Sequence, residues 1–234
     1  MIKGVIDETI KTLAFVASVC ISLMICSNTN AFAASYNLRD ESVQSHISSS
    51  TNLGTLSYWY SNTDIISHWK TPRKIYVSNL SSNSSFDLGY YVGFAIYQWS
   101  SKAQISCSAN GTENSHSIVI YGGLESDLTD AGVFSDCSSA NGKCRSTATI
   151  EGTYTYGSLT KTGKVTTYSK IAIIEKSNPR TDMAYSKTAT HELGHALGYA
   201  GHSTTKGDIM YTSSTSNTTN ALTPRDINHL KQIY

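Results

Sequence analysis

Two histidines four positions apart, His191 and His195, with Glu192 directly after the first, constrain this chain more than any other feature. Four residues is just over one turn of α-helix, so both imidazoles leave one helix face, one above the other. In that arrangement both rings reach a single zinc ion at about 2.0–2.1 Å. Glu192 adjoins the first histidine, so its carboxylate reaches a water on such an ion without being a ligand. Zinc brings the pKa of a bound water to about 7, and a carboxylate then takes the proton as that water attacks a carbonyl carbon. A zinc site of this kind has three protein ligands and one open position. The expected third ligand is His202. Gly198 is expected to end the helix in a left-handed conformation that side chains resist. The chain then turns back, with Gly201 adding freedom just before His202.

Around this segment, strand-like and helix-like stretches alternate. Residues 74–77, Lys-Ile-Tyr-Val, are rich in β-branched and aromatic side chains and predict a strand. A Ser/Asn cluster at 81–85 is placed to cap a helix over about 86–100. Phe86, Tyr90, Phe94 and Tyr97 fall near one face of that helix, with Ile96 and Trp99 broadening it. Strands are expected at 103–106 and 117–121 about an Asn110-Gly111 turn, and at 148–156 and 165–175 about a turn at 160–164. Along the last of these, Ile171 and Ile173 alternate with Ala172 and Ile174, which leaves the buried face open. Residues 122–147 read as irregular. A helix is expected over about 184–198 and a loop over 199–221. A final helix opens with Thr223 as N-cap, Pro224 at the first position and Asp226 completing a capping pattern. Ile227 and Leu230 belong to its buried stripe.

At the other end, Lys3 and Lys11 precede an apolar run over 13–26, and Ala31-Phe32-Ala33 forms an A-x-A site. That is the layout of a secretory signal peptide over residues 1–33, cleaved after Ala33. The run is shorter than the roughly 20 residues of a spanning helix, so no membrane segment is expected after cleavage. Asp7 and Glu8 offset Lys3 and Lys11, so the remainder keeps the formal charge of +1. No basic excess points to nucleic acid. Cleavage leaves Cys107, Cys137 and Cys144 in an oxidising compartment. Cys137 and Cys144 flank a turn-rich Ser-Ser-Ala-Asn-Gly-Lys loop and are the expected disulfide pair, with the other two pairings left open. Residues 34–68 are polar and read as an N-terminal extension or short pro-segment.

The segment from His191 to His202 resembles the metzincin zinc signature, H-E-x-x-H-x-x-G-x-x-H. It differs in one place: three residues, Tyr199-Ala200-Gly201, separate Gly198 from His202 where the pattern has two. Asp208-Ile209-Met210-Tyr211 resembles the Met-turn of the matrixin branch, and its spacing from His202 fits that branch. Residues 221–234 are similar to the last helix of matrix metalloproteinase catalytic domains, 69–79 to their first strand and 86–99 to their first helix. The resemblance thus spans residues 69–234. It implies an α/β fold of the zincin kind (α+β in the looser sense), with a twisted mixed sheet, an active-site helix, a second long helix and a small C-terminal subdomain ending in a helix. It also implies that Met210 supports the ligand histidines from below and that Asp226 braces the Met-turn backbone. Tyr211 either walls the pocket for the substrate side chain after the cut or packs in the core. Residues 171–175 resemble the family's edge strand, on which an extended substrate pairs. Arg225 stands where the family often has an aspartate, and Thr212 where some relatives have a tyrosine ligand. A structural calcium ion enters by family analogy alone, with no Asp/Asn cluster to name its ligands.

The expected function is that of a secreted, monomeric zinc metalloendopeptidase. One catalytic zinc sits on His191, His195 and His202, Glu192 is the base, and proteins or peptides are the substrates. The alternative from a different class is a secreted zinc-containing binding or adhesion protein without peptidase turnover.

Overall fold

Ile171, Ala172, Ile173 and Ile174 are all buried, Ile174 being the most exposed at 1%, because they run through a sheet covered on both faces. The computed structural model describes residues 65–231 apart from 138–139, 157–158, 200, 204 and 213–219. Its strands are β1 (Ile65–His68), β2 (Arg73–Asn79), β3 (Cys107–Ser108), β4 (Ile118–Gly123), β5 (Gly142–Tyr156) and β6 (Leu159–Ile174). They lie in the order β1-β6-β4-β2-β3, with β5 along the other side of β6. All pairings are parallel except the β5–β6 hairpin. The helices are α1 (Leu88–Ile96), continued by a π-helical segment (Tyr97–Lys102), α2 (Glu125–Asp130), α3 (Asp182–Ala196) and α4 (Pro224–Lys231). This is the twisted mixed α/β architecture expected.

Strand alternation sorts the apolar side chains into two cores. Ile75, Ile118, Ile120, Ile171 and Ile173 face one side, where α1 and α3 cover them with Leu88, Tyr91, Val92, Ala95, Tyr185, Ala189 and Leu193. Ala172 and Ile174 face the other, against Leu128 of α2 and the following Val133, Phe134 and Cys137. A strand buried on both faces has no polar face to read. That is why the 171–174 pattern left the direction open.

Of the aromatic face expected on the first helix, Tyr90 and Tyr97 turn outward, 57% and 53% exposed, while Phe86 and Trp99 are buried. The buried stripe is Leu88, Tyr91, Val92, Ala95 and Trp99, a cleaner 3.6-residue repeat than the bulkier aromatics offered. The helix cap is Asp87, whose carboxylate accepts from the Tyr90 N–H at 2.9 Å. The Ser/Asn cluster serves a different purpose, since Ser81 Oγ and Asn83 Nδ2 both donate to the Glu175 carboxylate, at 2.5 and 2.7 Å.

Other expectations also shift. Residues 103–106 are irregular, and the strand there is the short β3. The Asn110-Gly111 turn expected between the flanking strands is not formed, and β3 and β4 each pair with β2 and not with each other. Gly111 instead lies so close to the Ile75 backbone that a Cβ would sit 2.7 Å from it. Residues 160–164 belong to β6, and the 122–147 stretch holds α2 and the start of β5. Residues 65–68, expected in the N-terminal extension, form β1 and pair with β6. Residues 171–174 are interior, between β4 and β5, so among the described residues the outer strand on this side is β5.

Cys107, Cys137 and Cys144 are all free thiols, so the expected 137–144 disulfide is not made. Cys144 lies opposite Ile171 and packs with the core beneath α3, while Cys137 lies in the core under α2. The sheet separates them. Burial pushes the Cys107 thiol pKa up to about 12, which leaves it inert.

Leu128 is fully buried in the second core, on the sheet face opposite α3. Leu128→Ala is expected to lower unfolding free energy by about 2–4 kcal/mol, measured by chemical denaturation. Peptide mapping of unreduced protein is expected to find Cys137 and Cys144 unlinked.

Candidate metal centre and active site

Helix α3 begins at Thr181, whose hydroxyl caps Ala184 N–H, and is buried along most of its length. Two tryptophan indoles fix it in place: Trp99 Nε1 donates to Thr190 O at 2.8 Å and Trp69 Nε1 to Ala196 O at 2.7 Å. The helix ends as the glycine predicted. Gly198 has φ of 117°. Its N–H bonds His195 O at 3.0 Å, and the Tyr199 N–H bonds Gly194 O at 3.0 Å. This pair of bonds is a Schellman motif, and it reverses the chain.

That reversal, with Gly201 at φ of 73°, brings His202 back to the two helical histidines. One ring nitrogen of each of His191, His195 and His202 lies within 4.8 Å of the others. The ring centroids are 4.7, 5.1 and 4.9 Å apart for the pairs 191–195, 191–202 and 195–202. The inserted loop residue therefore does not prevent convergence.

The protonation pattern follows from the partners. His191 Nδ1 lies 2.7 Å from Ile209 O, and His195 Nδ1 lies 2.7 Å from Tyr199 O. Carbonyl oxygens only accept, so both Nδ1 atoms carry hydrogen in these bonds. Burial is the main cause that lowers the pKa of His191 to about 4 and of His195 to about 3, with neighbouring histidines adding to it. It lowers His202 too. The rings are thus neutral at neutral pH, and the Nε2 atoms present lone pairs. The Nε2 atoms of His191 and His195 face each other at 3.1 Å. Two lone pairs aimed at one point repel unless a cation sits against both. The donor set therefore fits a metal that takes neutral imidazole, zinc foremost.

Glu192 is 8% exposed, and burial alone raises its carboxyl pKa to about 8. One contact here had no sequence signal. Gly142, at the start of β5, comes so near that a Cβ on it would lie 2.7 Å from Glu192 Cγ, 2.8 Å from Glu192 Oε1 and 2.7 Å from Thr188 Cγ2. The edge strand thus walls the carboxylate. Only the packing of β5 against α3 reveals this, because Gly142 reads as an ordinary loop glycine.

Beneath the histidines, Met210 is fully buried. Its Sδ would lie 2.6 Å from a Cβ on Gly194, and Trp99 Cζ2 2.8 Å. Gly194, between the two helical histidines, therefore admits the methionine. Residues 208–211 form a turn closed by Tyr211 N–H to Asp208 O at 3.2 Å. Asp226 Oδ2 accepts from Ile209 N–H at 2.9 Å and Oδ1 from Met210 N–H at 3.2 Å. Asp226 braces the turn backbone as expected. Thr223 caps α4 reciprocally with Asp226. Tyr211 is half-buried and follows directly in the turn.

The comparison with protein families agrees with this geometry. The matrixin family model matches residues 69–234, which include the three histidines, Glu192 and the turn at Met210. A search of curated proteins finds no match. Matrixins are zinc metallopeptidases, so the family implies a catalytic zinc, and the three-histidine group is where this chain has the donors for it. The chain belongs to the matrixin family.

Proposed function

We propose that this protein is a secreted zinc-dependent endopeptidase, with zinc held by His191, His195 and His202 and Glu192 as the base. The observation that supports it most is the convergence of the three ring nitrogens within 4.8 Å beside a buried glutamate. Zinc bound there supplies a Lewis acid that acidifies water and polarises a carbonyl. Every other part of the reaction belongs to the chain. Glu192 takes a proton from the attacking water as the new C–O bond forms. It then returns that proton to the amide nitrogen as the C–N bond breaks. Gly142 leaves free the space beside β5 that the carboxylate occupies, since a Cβ there would lie 2.8 Å from its Oε1.

The free edge of β5 is where the proposed substrate lies. Among the described residues β5 pairs only with β6, so its outer N–H and C=O groups are available to an extended peptide. Pairing along that edge sets the peptide beside Glu192, because β5 begins at Gly142.

Export is part of the same proposal, supported by the basic start, the apolar run and the Ala31-Phe32-Ala33 site. N-terminal sequencing of protein recovered from culture medium is expected to begin at Ala34. Recovery only inside cells with an intact start contradicts it.

Glu192→Gln is expected to lower casein hydrolysis by about 10²–10⁴-fold while elemental analysis still finds zinc. Equal hydrolysis in the variant removes Glu192 from the mechanism. Zinc binding without hydrolysis by the wild type favours the binding-protein class instead. Gly142→Ala, with no left-handed backbone to strain, is expected to lower kcat by about 10–100-fold through displacement of the carboxylate. Steady-state kinetics at unchanged zinc content checks this.

A further inference from the structure

The three histidines are held in different ways. His191 and His195 each give Nδ1–H to a main-chain carbonyl. Among the described residues, the His202 ring makes no such bond, and it sits on a loop one residue longer than the signature. The reversal at Gly198 and Gly201 brings it to the site, and the backbone that follows it is tied down.

The next residue, Ser203, is pinned three ways. Its N–H donates to Met210 O at 2.7 Å. Its Oγ donates to Asp208 Oδ2 at 2.5 Å and accepts from Thr205 N–H at 3.0 Å. Asp208 is 2% exposed and receives two further donors from the start of α4. Thr223 Oγ1 reaches Oδ1 at 2.7 Å, and Arg225 Nε reaches Oδ2 at 2.8 Å. The carboxylate thus joins the loop after His202 to the last helix, through charge-assisted bonds. Arg225 is 48% exposed, so its share is screened. The buried Ser203–Asp208 bond is the stiff link.

We propose that Ser203 and Asp208, anchored by Thr223 and Arg225, are the positioning residues for His202. They tie the third histidine to α4 and hold it in register despite the longer loop. This rests on the assignment of His202 as a metal ligand. The turn over Met210 then serves two ligands at once: Ile209 O orients His191, while Met210 O and Asp208 hold the residue beside His202.

The test is the zinc dissociation constant of the folded protein, by competition with a chromophoric chelator, for Ser203→Ala, Asp208→Asn and His202→Ala. Leu128→Ala, remote from the site, controls for lost stability. The visible spectrum of each cobalt-substituted protein reports ligand geometry. Ser203→Ala and Asp208→Asn are expected to weaken zinc about 10–100-fold and to alter the cobalt bands, with Leu128→Ala close to wild type in both. Ser203→Ala removes only one oxygen and decides the matter if Asp208→Asn does not fold. If both variants hold zinc as tightly as wild type while His202→Ala does not, the positioning role is wrong and the three-histidine site stands. If weakening is no greater than in Leu128→Ala, the network is merely structural and the proposal fails. If His202→Ala itself holds zinc like the wild type, the ligand assignment falls first.

Discussion

One peptide unit, between Ile209 and Met210, joins the parts of this site. Its N–H donates to Asp226 Oδ1 at 3.2 Å, and its carbonyl accepts from His191 Nδ1 at 2.7 Å. A planar amide bonded at both ends polarises along its axis, so each bond strengthens the other. Through it, helix α4, the turn over Met210 and helix α3 become one mechanical piece. The same turn seats the Met210 sulfur against Gly194. Loss of any member leaves a buried donor or acceptor unmatched, which costs more than the bond itself contributes.

Burial sets the chemistry as well as the shape. The helix carrying His191 and His195 is enclosed by the sheet, α1 and the π-helical segment, so desolvation keeps the imidazoles neutral. Neutral rings whose Nδ1 hydrogens are already committed to carbonyls have one use left for Nε2, donation to a cation. The same enclosure raises Glu192, which therefore holds a proton more readily than an exposed carboxylate. A cation in the site works against that shift by favouring the charged form. The proposed ligands and the proposed base are thus tuned by one cause.

Much of this was legible in the residues because the spacing is local. The His191/His195 pair, the left-handed Gly198 and the Thr223–Asp226 cap each depend on residues close in sequence, while the turn over Met210 was legible only through the family resemblance. The long-range features were not legible. Gly142 meets Glu192 only because the hairpin lays β5 along α3. The outward turn of Tyr90 and Tyr97 depends on which stripe of α1 the sheet accepts, and large aromatics misdirect that choice. The 137–144 disulfide suited a short loop, yet β5 begins between the two cysteines and sends them to opposite sheet faces. Residues 171–174 resembled an edge, but pairing on both sides is a property of the sheet and not of the strand.

The central claim is that three imidazoles and no other side chains hold the metal. X-ray absorption at the zinc edge of the loaded wild-type protein tests it directly. Three nitrogen scatterers of imidazole type at about 2.0–2.1 Å, completed by light oxygen donors, are predicted. A sulfur shell at about 2.3 Å, or only two imidazoles, would contradict it.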